Sequence, residues 1–136
     1  MKTIIHKNSN EVNVREITEG EELIEYSVQD NAHLLLILLV SGSSKDVTAH
    51  VHLTGTGAHA DIIGIVVGKG SNIFAFHTLQ DHNAPGATSN LLVKSVLHDS
   101  AKFSYDGGIQ VRPIAQKTDA YQRNENLLLS KTATAE

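Results

Sequence analysis

Eight histidines and no cysteine set the limits of the chemistry this 136-residue chain can do. In "DVTAHVHLTG", running from Asp46, His50 and His52 stand two residues apart. On an extended strand that spacing puts both rings on one face, with Cα atoms about 7 Å apart. A zinc or iron site needs three or four converging ligands. The pair supplies at most two, and nothing in the linear sequence brings in a third. His50 and His52 therefore read as exposed strand histidines. His77, Asp81 and His82 form a second group close in sequence. No metal ligand set is assigned to either group; a histidine-based metal- or small-ligand-binding role is the alternative.

Other reactive patterns fail on spacing. "VVGKGSN" resembles the tail of a phosphate loop, but Ile63 stands where the pattern needs its first Gly and Gly70 where it needs Ser or Thr. It reads as a turn. No Gly-x-Ser-x-Gly elbow occurs. Without Cys there is no disulfide and no thiolate nucleophile. No catalytic residue is assigned, and the expectation is a protein that is not an enzyme. A net charge of −4, with no basic block, argues against nucleic acid as partner. The longest apolar run, Leu34 to Val40, falls far short of the roughly 18 residues of a membrane span. "MKTIIHKNSNEV" has no apolar core of signal-peptide length, so a cytoplasmic protein is expected.

The elements that would carry these residues are strands. Val47, Ala49, Val51 and Leu53 alternate with Thr48, His50, His52 and Thr54. "LLLILLV" and "IIGIVV" are continuous apolar runs, as in strands buried on both faces. Short punctuators separate the runs ("SGSSKD", "GTG", "GKGSN", "NAPGATSN"), leaving little room for helices. A meander, sandwich or solenoid fits better than an α/β fold. "LTGTGAHADIIGI" (53–65) is echoed by "LHDSAKFSYDGGI" (97–109), and "VQDNAHLLLI" and "LSKTATAE" share the turn-then-Ala element. The uneven spacing suggests coils of an irregular β-solenoid, with coincidence among turn sequences as the competing explanation. "DAYQRNENLLLSK" is ambiguous: it also matches a helix capped by Thr118 or Asp119. As a strand, it would place Gln116, Thr118, Gln122, Asn124 and Asn126 on one face, opposite Lys117, Asp119, Tyr121, Arg123 and Glu125.

"RPIAQKTDAYQRNENLLLS" (112–130) closely resembles the core of the SufB/SufD family, the scaffold components of Suf-type iron–sulfur cluster assembly. "DHNAPGATSNLLVKSVLHDSAKFSYDGGIQVRP" is similar to the segment that precedes it in that family. The resemblance is strong from about residue 77 to 136. It implies an all-β, single-domain chain over 1–136, a right-handed parallel β-helix, and strand rather than helix at Asp119. It further implies a non-catalytic scaffold or protein-interaction module, with a degenerate relative of purely structural role as another alternative. Asn90 stands where the family usually has an acidic residue and Ser95 where it often has Gly. The family's Cys-Ser-His-Gly-Ala segment and the helical region that docks the SufC ATPase have no counterpart in these residues. With no Cys to hold a cluster, no cofactor is expected, and the chain leans to the SufD side.

The partners expected are a second copy of the chain and other Suf components. Each terminal coil of a β-helix leaves a row of unpaired N–H and C=O groups, and such edges pair. Residues 1 to 10 offer a short polar cover at one end, whereas "LLLSKTATAE" brings leucines almost to the other. β-helices of the family pair through their C-terminal region. A homodimer is therefore expected, with Leu127, Leu128, Leu129, Lys131, Thr132 and Thr134 at its interface.

Overall fold

The computed structural model describes residues 2–136. It holds eleven strands: β1 (Lys2–Ile5), β2 (Asn10–Ile17), β3 (Glu21–Val28), β4 (His33–Val40), β5 (Lys45–Leu53), β6 (His59–Gly68), β7 (Ile73–His82), β8 (Thr88–Leu97), β9 (Lys102–Val111), β10 (Asp119–Leu128) and β11 (Thr134–Ala135). Odd and even strands separate completely. One sheet runs β1-β3-β5-β7-β9-β11, called sheet A here, and the other runs β10-β8-β6-β4-β2, sheet B. Every pairing is parallel. The chain winds between the two sheets as a β-solenoid, and no helix occurs among the described residues.

The coils are uneven. His33 pairs with Asn10, His59 with His33, Thr88 with His59 and Asp119 with Thr88, so each coil is longer than the one before it. This irregularity explains why the sequence shows echoes rather than a strict repeat. The turn-then-Ala echo marks corners. The N–H groups of Ala32, Ala58, Ala101 and Ala133 each donate to the carbonyl three residues earlier, and all four side chains are buried. Asn31 and Gly57, just before two of these alanines, have φ of 53° and 72°. That left-handed conformation suits Asn and Gly. The methyl group then points inward, where a larger side chain would foul the next coil.

Alternation fills the interior. Leu34, Leu36, Leu38 and Val40 of β4 face Val47, Ala49, Val51 and Leu53 of β5 across the core, and Ile24, Tyr26, Phe74, Phe76 and Phe103 add to sheet A's contribution. The two apolar runs are buried on one face only, which corrects the expectation of strands covered on both. Leu35, Ile37 and Leu39 alternate with the buried residues of β4 and are half-buried, as are Ile63 and Ile65 on β6, while Val67 is exposed. A solenoid strand has one face inside the coil; its outer face is covered only if something docks there.

The stretch from Asp119 is a strand, as the resemblance implied, stacked in register on β8. Between Ala120 and Leu128 its inward row is polar. Gln122, Asn124 and Asn126 pair with Leu91, Val93 and Ser95 of the coil below. Gln116 and Thr118 do not join that row, because the backbone at Lys117 turns through φ 57° before β10 begins. The opposite end is built the same way: Glu11, Asn13 and Arg15 of β2 pair with inward Leu34, Leu36 and Leu38. Of the segment expected as a polar cover, Lys2–Ile5 forms β1, the edge strand of sheet A, and Asn10 opens β2; residue 1 lies outside the described residues.

Candidate functional site

Stacking gathers on the outer face of sheet A residues that the sequence scatters. β3 and β5 lie in register, so Glu25 sits beside His50. β5 and β7 place His52 beside Asp81 and Thr48 beside His77. Glu25, His50 and His52 form one group, each side chain half-buried, with one possible ligand atom from each within 4.8 Å of the other two. His50 Nδ1 is 3.7 Å from Glu25 Oε1. A third possible ligand therefore stands beside the pair, carried by the neighbouring coil. Glu25 lies 25 positions before His50, too far for the linear sequence to show the two together. The period-two pattern of "EELIEYSV" was the available signal, but register cannot be read from alternation alone.

His52 is held from behind. Its Nδ1 lies 2.8 Å from Asp81 Oδ2. The Asp81 side chain is 2% exposed. It accepts from Arg112 Nε at 3.3 Å and Nη2 at 3.4 Å, and from Asn83 Nδ2 at 3.3 Å. Burial alone would raise its pKa, but the bonds from Arg112, His52 and Asn83 outweigh it and hold the carboxyl below its usual range. Asp81 is thus an anion under an Arg cover, with a bond that orients one histidine ring.

His77, Asp81 and His82 do not form one site. Alternation along β7 sends His77 and Asp81 outward and His82 inward. His77 lies between Asp46 and Asp106, at 3.4 Å and 3.8 Å. His82 is completely buried, with Nε2 2.8 Å from Ser89 Oγ, which in turn donates to Gln80 Oε1 at 2.6 Å. Burial pushes the pKa of His82 down, so the ring is kept neutral. The loop with "GKGSN" is a turn, as its spacing suggested. Gly70 has φ 64°, and its N–H donates to the Asp99 carboxylate at 2.9 Å, where a phosphate loop would keep its N–H groups for an anion.

Sheet B presents a different surface. Val14, Ile37, Ile63 and Leu92 form one outward row across four strands, and Leu39 and Ile65 belong to the next. An open depression of about 540 Å³ lies over this face, bordered by Leu35, Asp61, Ile63, Leu92, Tyr121 and Arg123. At the end of the same sheet, Leu127, Leu128 and Leu129 are 55%, 46% and 49% exposed. Beyond them, Lys131, Thr132 and Thr134 are also exposed. Thr132 Oγ1 donates to the Asp99 carbonyl at 2.6 Å, and Thr134 N–H to that of Ala101 at 3.1 Å. These two threonines anchor the last corner. β10 and β11 each have a neighbour on one side only.

Comparison with known proteins agrees with this architecture. The family profile described as "SUF system FeS cluster assembly, SufBD core domain" matches residues 22–136. The match begins well before residue 77, where the visible resemblance was strong. An iron-sulfur cluster assembly SufBD family protein of Mycobacterium leprae (strain TN) is 26% identical over 108 residues, covering 74% of this chain and 28% of that protein. Proteins of the same description from Mycobacterium bovis and Mycobacterium tuberculosis (strain H37Rv) are 26% identical over 106 residues, covering 73% of this chain and 27% of each. The chain thus spans little more than a quarter of the length of these relatives.

Proposed function

Because the chain belongs to the SufBD core-domain family of the SUF iron–sulfur cluster assembly system, we propose that it serves there as a non-catalytic scaffold, a module that other chains dock on. The observation that carries this reading is the uncovered apolar face of sheet B. A row of four aliphatic side chains on a parallel sheet is usually found under another layer, and apolar patches of this kind mark interaction sites. The docking partners are a second copy of the chain and other components of the same assembly system, and the setting is the cytoplasm.

The absence of Cys supports a place on the SufD side rather than the cluster-holding side, since clusters are typically bound by Cys thiolates. The second copy is placed at the C-terminal end. There β10 and β11 offer unpaired backbone beside Leu127 to Leu129, and a two-fold pairing of such edges closes on itself.

Light scattering at micromolar concentration tests the pairing. The expected mass is twice the 14.7 kDa of one chain, falling to one chain on Leu127→Lys with Leu129→Lys. A monomer at high concentration would refute the dimer. Anaerobic reconstitution with iron and sulfide, followed by desalting, should leave no charge-transfer absorbance. A retained stoichiometric cluster would overturn the placement on the SufD side.

A further inference from the structure

We propose that Glu25, His50 and His52 on the outer face of sheet A form a binding site for a divalent transition-metal ion of the zinc class. The donor set is two imidazoles and one carboxylate, a combination that holds zinc with coordination positions left open. Three strand positions on two adjacent coils supply it, so the backbone of a stacked sheet fixes the spacing. A zinc ion about 2.0–2.2 Å from each donor sets tetrahedral donors roughly 3.3–3.5 Å apart. Glu25 Oε1 and His50 Nδ1 are already 3.7 Å apart, and one possible ligand atom from each of the three side chains lies within 4.8 Å of the others. Rotation of half-buried side chains closes the remainder.

The support behind the ligands points the same way. A metal-bound histidine commonly donates its second N–H to a carboxylate, which fixes the tautomer and raises the basicity of the ligating nitrogen. His52 has that partner in Asp81, at 2.8 Å from Nδ1; with the proton on Nδ1, Nε2 keeps its lone pair for an ion. Asp81 is itself buried and held by Arg112 and Asn83. A solvated surface histidine needs no such backing. The charge also suits a cation: Arg112 is offset by Asp81, its partner at 3.3 Å, and Glu25 adds a carboxylate beside the two imidazoles. Elsewhere on the molecule, His33, His59 and Asp61 lie close on sheet B, with His59 Nε2 2.9 Å from Asp61 Oδ2. His59 there spends its other nitrogen on Thr88 Oγ1 at 2.7 Å, so both ring positions are occupied.

The test is titration of chelator-stripped protein with Zn²⁺, followed by calorimetry, and with Co²⁺, followed by its visible d–d absorption. The full chain should take up one ion. Glu25→Gln, His50→Gln and His52→Gln should each weaken binding by roughly tenfold or more, and Asp81→Asn, which touches no metal, by about 10–100-fold. His59→Gln should leave affinity unchanged. Circular dichroism of each variant separates lost binding from lost folding. Should Asp81→Asn not fold, the half-buried Glu25→Gln carries the result. Absence of saturable uptake by the parent chain, uptake that survives all three ligand variants, or an equal loss with His59→Gln would overturn the assignment.

Discussion

The two outer faces of this solenoid are made by the same coils and the same stacking rule, yet they carry opposite chemistry. On sheet A the outward rows read Glu25–His50–Leu79 and Ser27–His52–Asp81. On sheet B they read Val14–Ile37–Ile63–Leu92 and Glu16–Leu39–Ile65–Lys94. In a parallel stack each residue's neighbours are fixed by register, so one residue type repeated at one coil position becomes a surface. Ionisable residues at that position make a ligand cluster, and aliphatic ones make a docking strip. The interiors differ in the same sense. Sheet B buries aliphatics with only the small polar Ser89 and Ser95 among them, whereas sheet A also buries the larger Gln80 and His82 and Thr78.

The largest effect should come from breaking the inside–outside contrast within sheet B. Leu36 is fully buried and its neighbour Ile37 faces out. Leu36→Ala should cost about 2–5 kcal/mol through lost burial and a cavity. Ile37→Thr keeps the β-branch that strands favour and should cost about 1 kcal/mol or less. Urea-unfolding midpoints measure both. Equal, large losses would mean that the outer face of sheet B is already covered in solution.

A smaller effect belongs to the polar interior of sheet A and appears only with acid. Burial lowers the pKa of His82 in the folded chain, while Asp81 and Asp119 pull it the other way without prevailing. The unfolded chain therefore takes up this proton first as pH falls. The stabilisation from a neutral His82 is complete above the unfolded value near 6.5. It is lost as pH drops from there toward the lower folded value, with a slope of at most about 1.4 kcal/mol per pH unit for one proton. Asp81, whose folded pKa is also lowered, adds its own loss only at more acid pH, below the ordinary carboxylate value. Unfolding midpoints measured between pH 7 and 5 should fall for the parent chain and flatten in His82→Gln. An unchanged slope in that variant would place the titration elsewhere.

Much of this architecture was legible in the residues. The period-two alternation of "DVTAHVHLTG" marked β5 and its faces, and the Ala after each turn marked corners that the structure bears out. The family resemblance decided strand over helix at Asp119, where local propensity was ambiguous and stacking on β8 prevails. What alternation could not supply was register. Glu25 and His50 become neighbours only because β3 and β5 pair as they do, through a coil length that varies along the chain. Nor could alternation separate an apolar run buried on both faces from one buried on a single face. "LLLILLV" has the same letters either way, and the difference lies in whether a second layer exists.

The smallest effect tests the end of the molecule against its middle. Leu97 and Leu128 occupy the same inward position on successive coils of sheet B, paired in register. Leu97 is fully buried and Leu128 is 46% exposed. Leu97→Ala should cost about 2–5 kcal/mol. A half-exposed leucine keeps only part of its transfer free energy, so Leu128→Ala should cost about 1 kcal/mol in the isolated chain. The amides of the same row soften the contrast further, since Gln122, Asn124 and Asn126 cover the last apolar layer and Ser95 Oγ donates to Asn126. If a second copy pairs with the C-terminal edge, Leu128 is buried by that partner, and the dimer is stabilised by mass action. The cost of Leu128→Ala should then rise with protein concentration while that of Leu97→Ala does not. Unfolding midpoints for both variants across a hundredfold dilution series separate the cases. A Leu128→Ala cost that is small and the same at every concentration would show that the amide row is a sufficient cap and that Leu128 is no part of an interface.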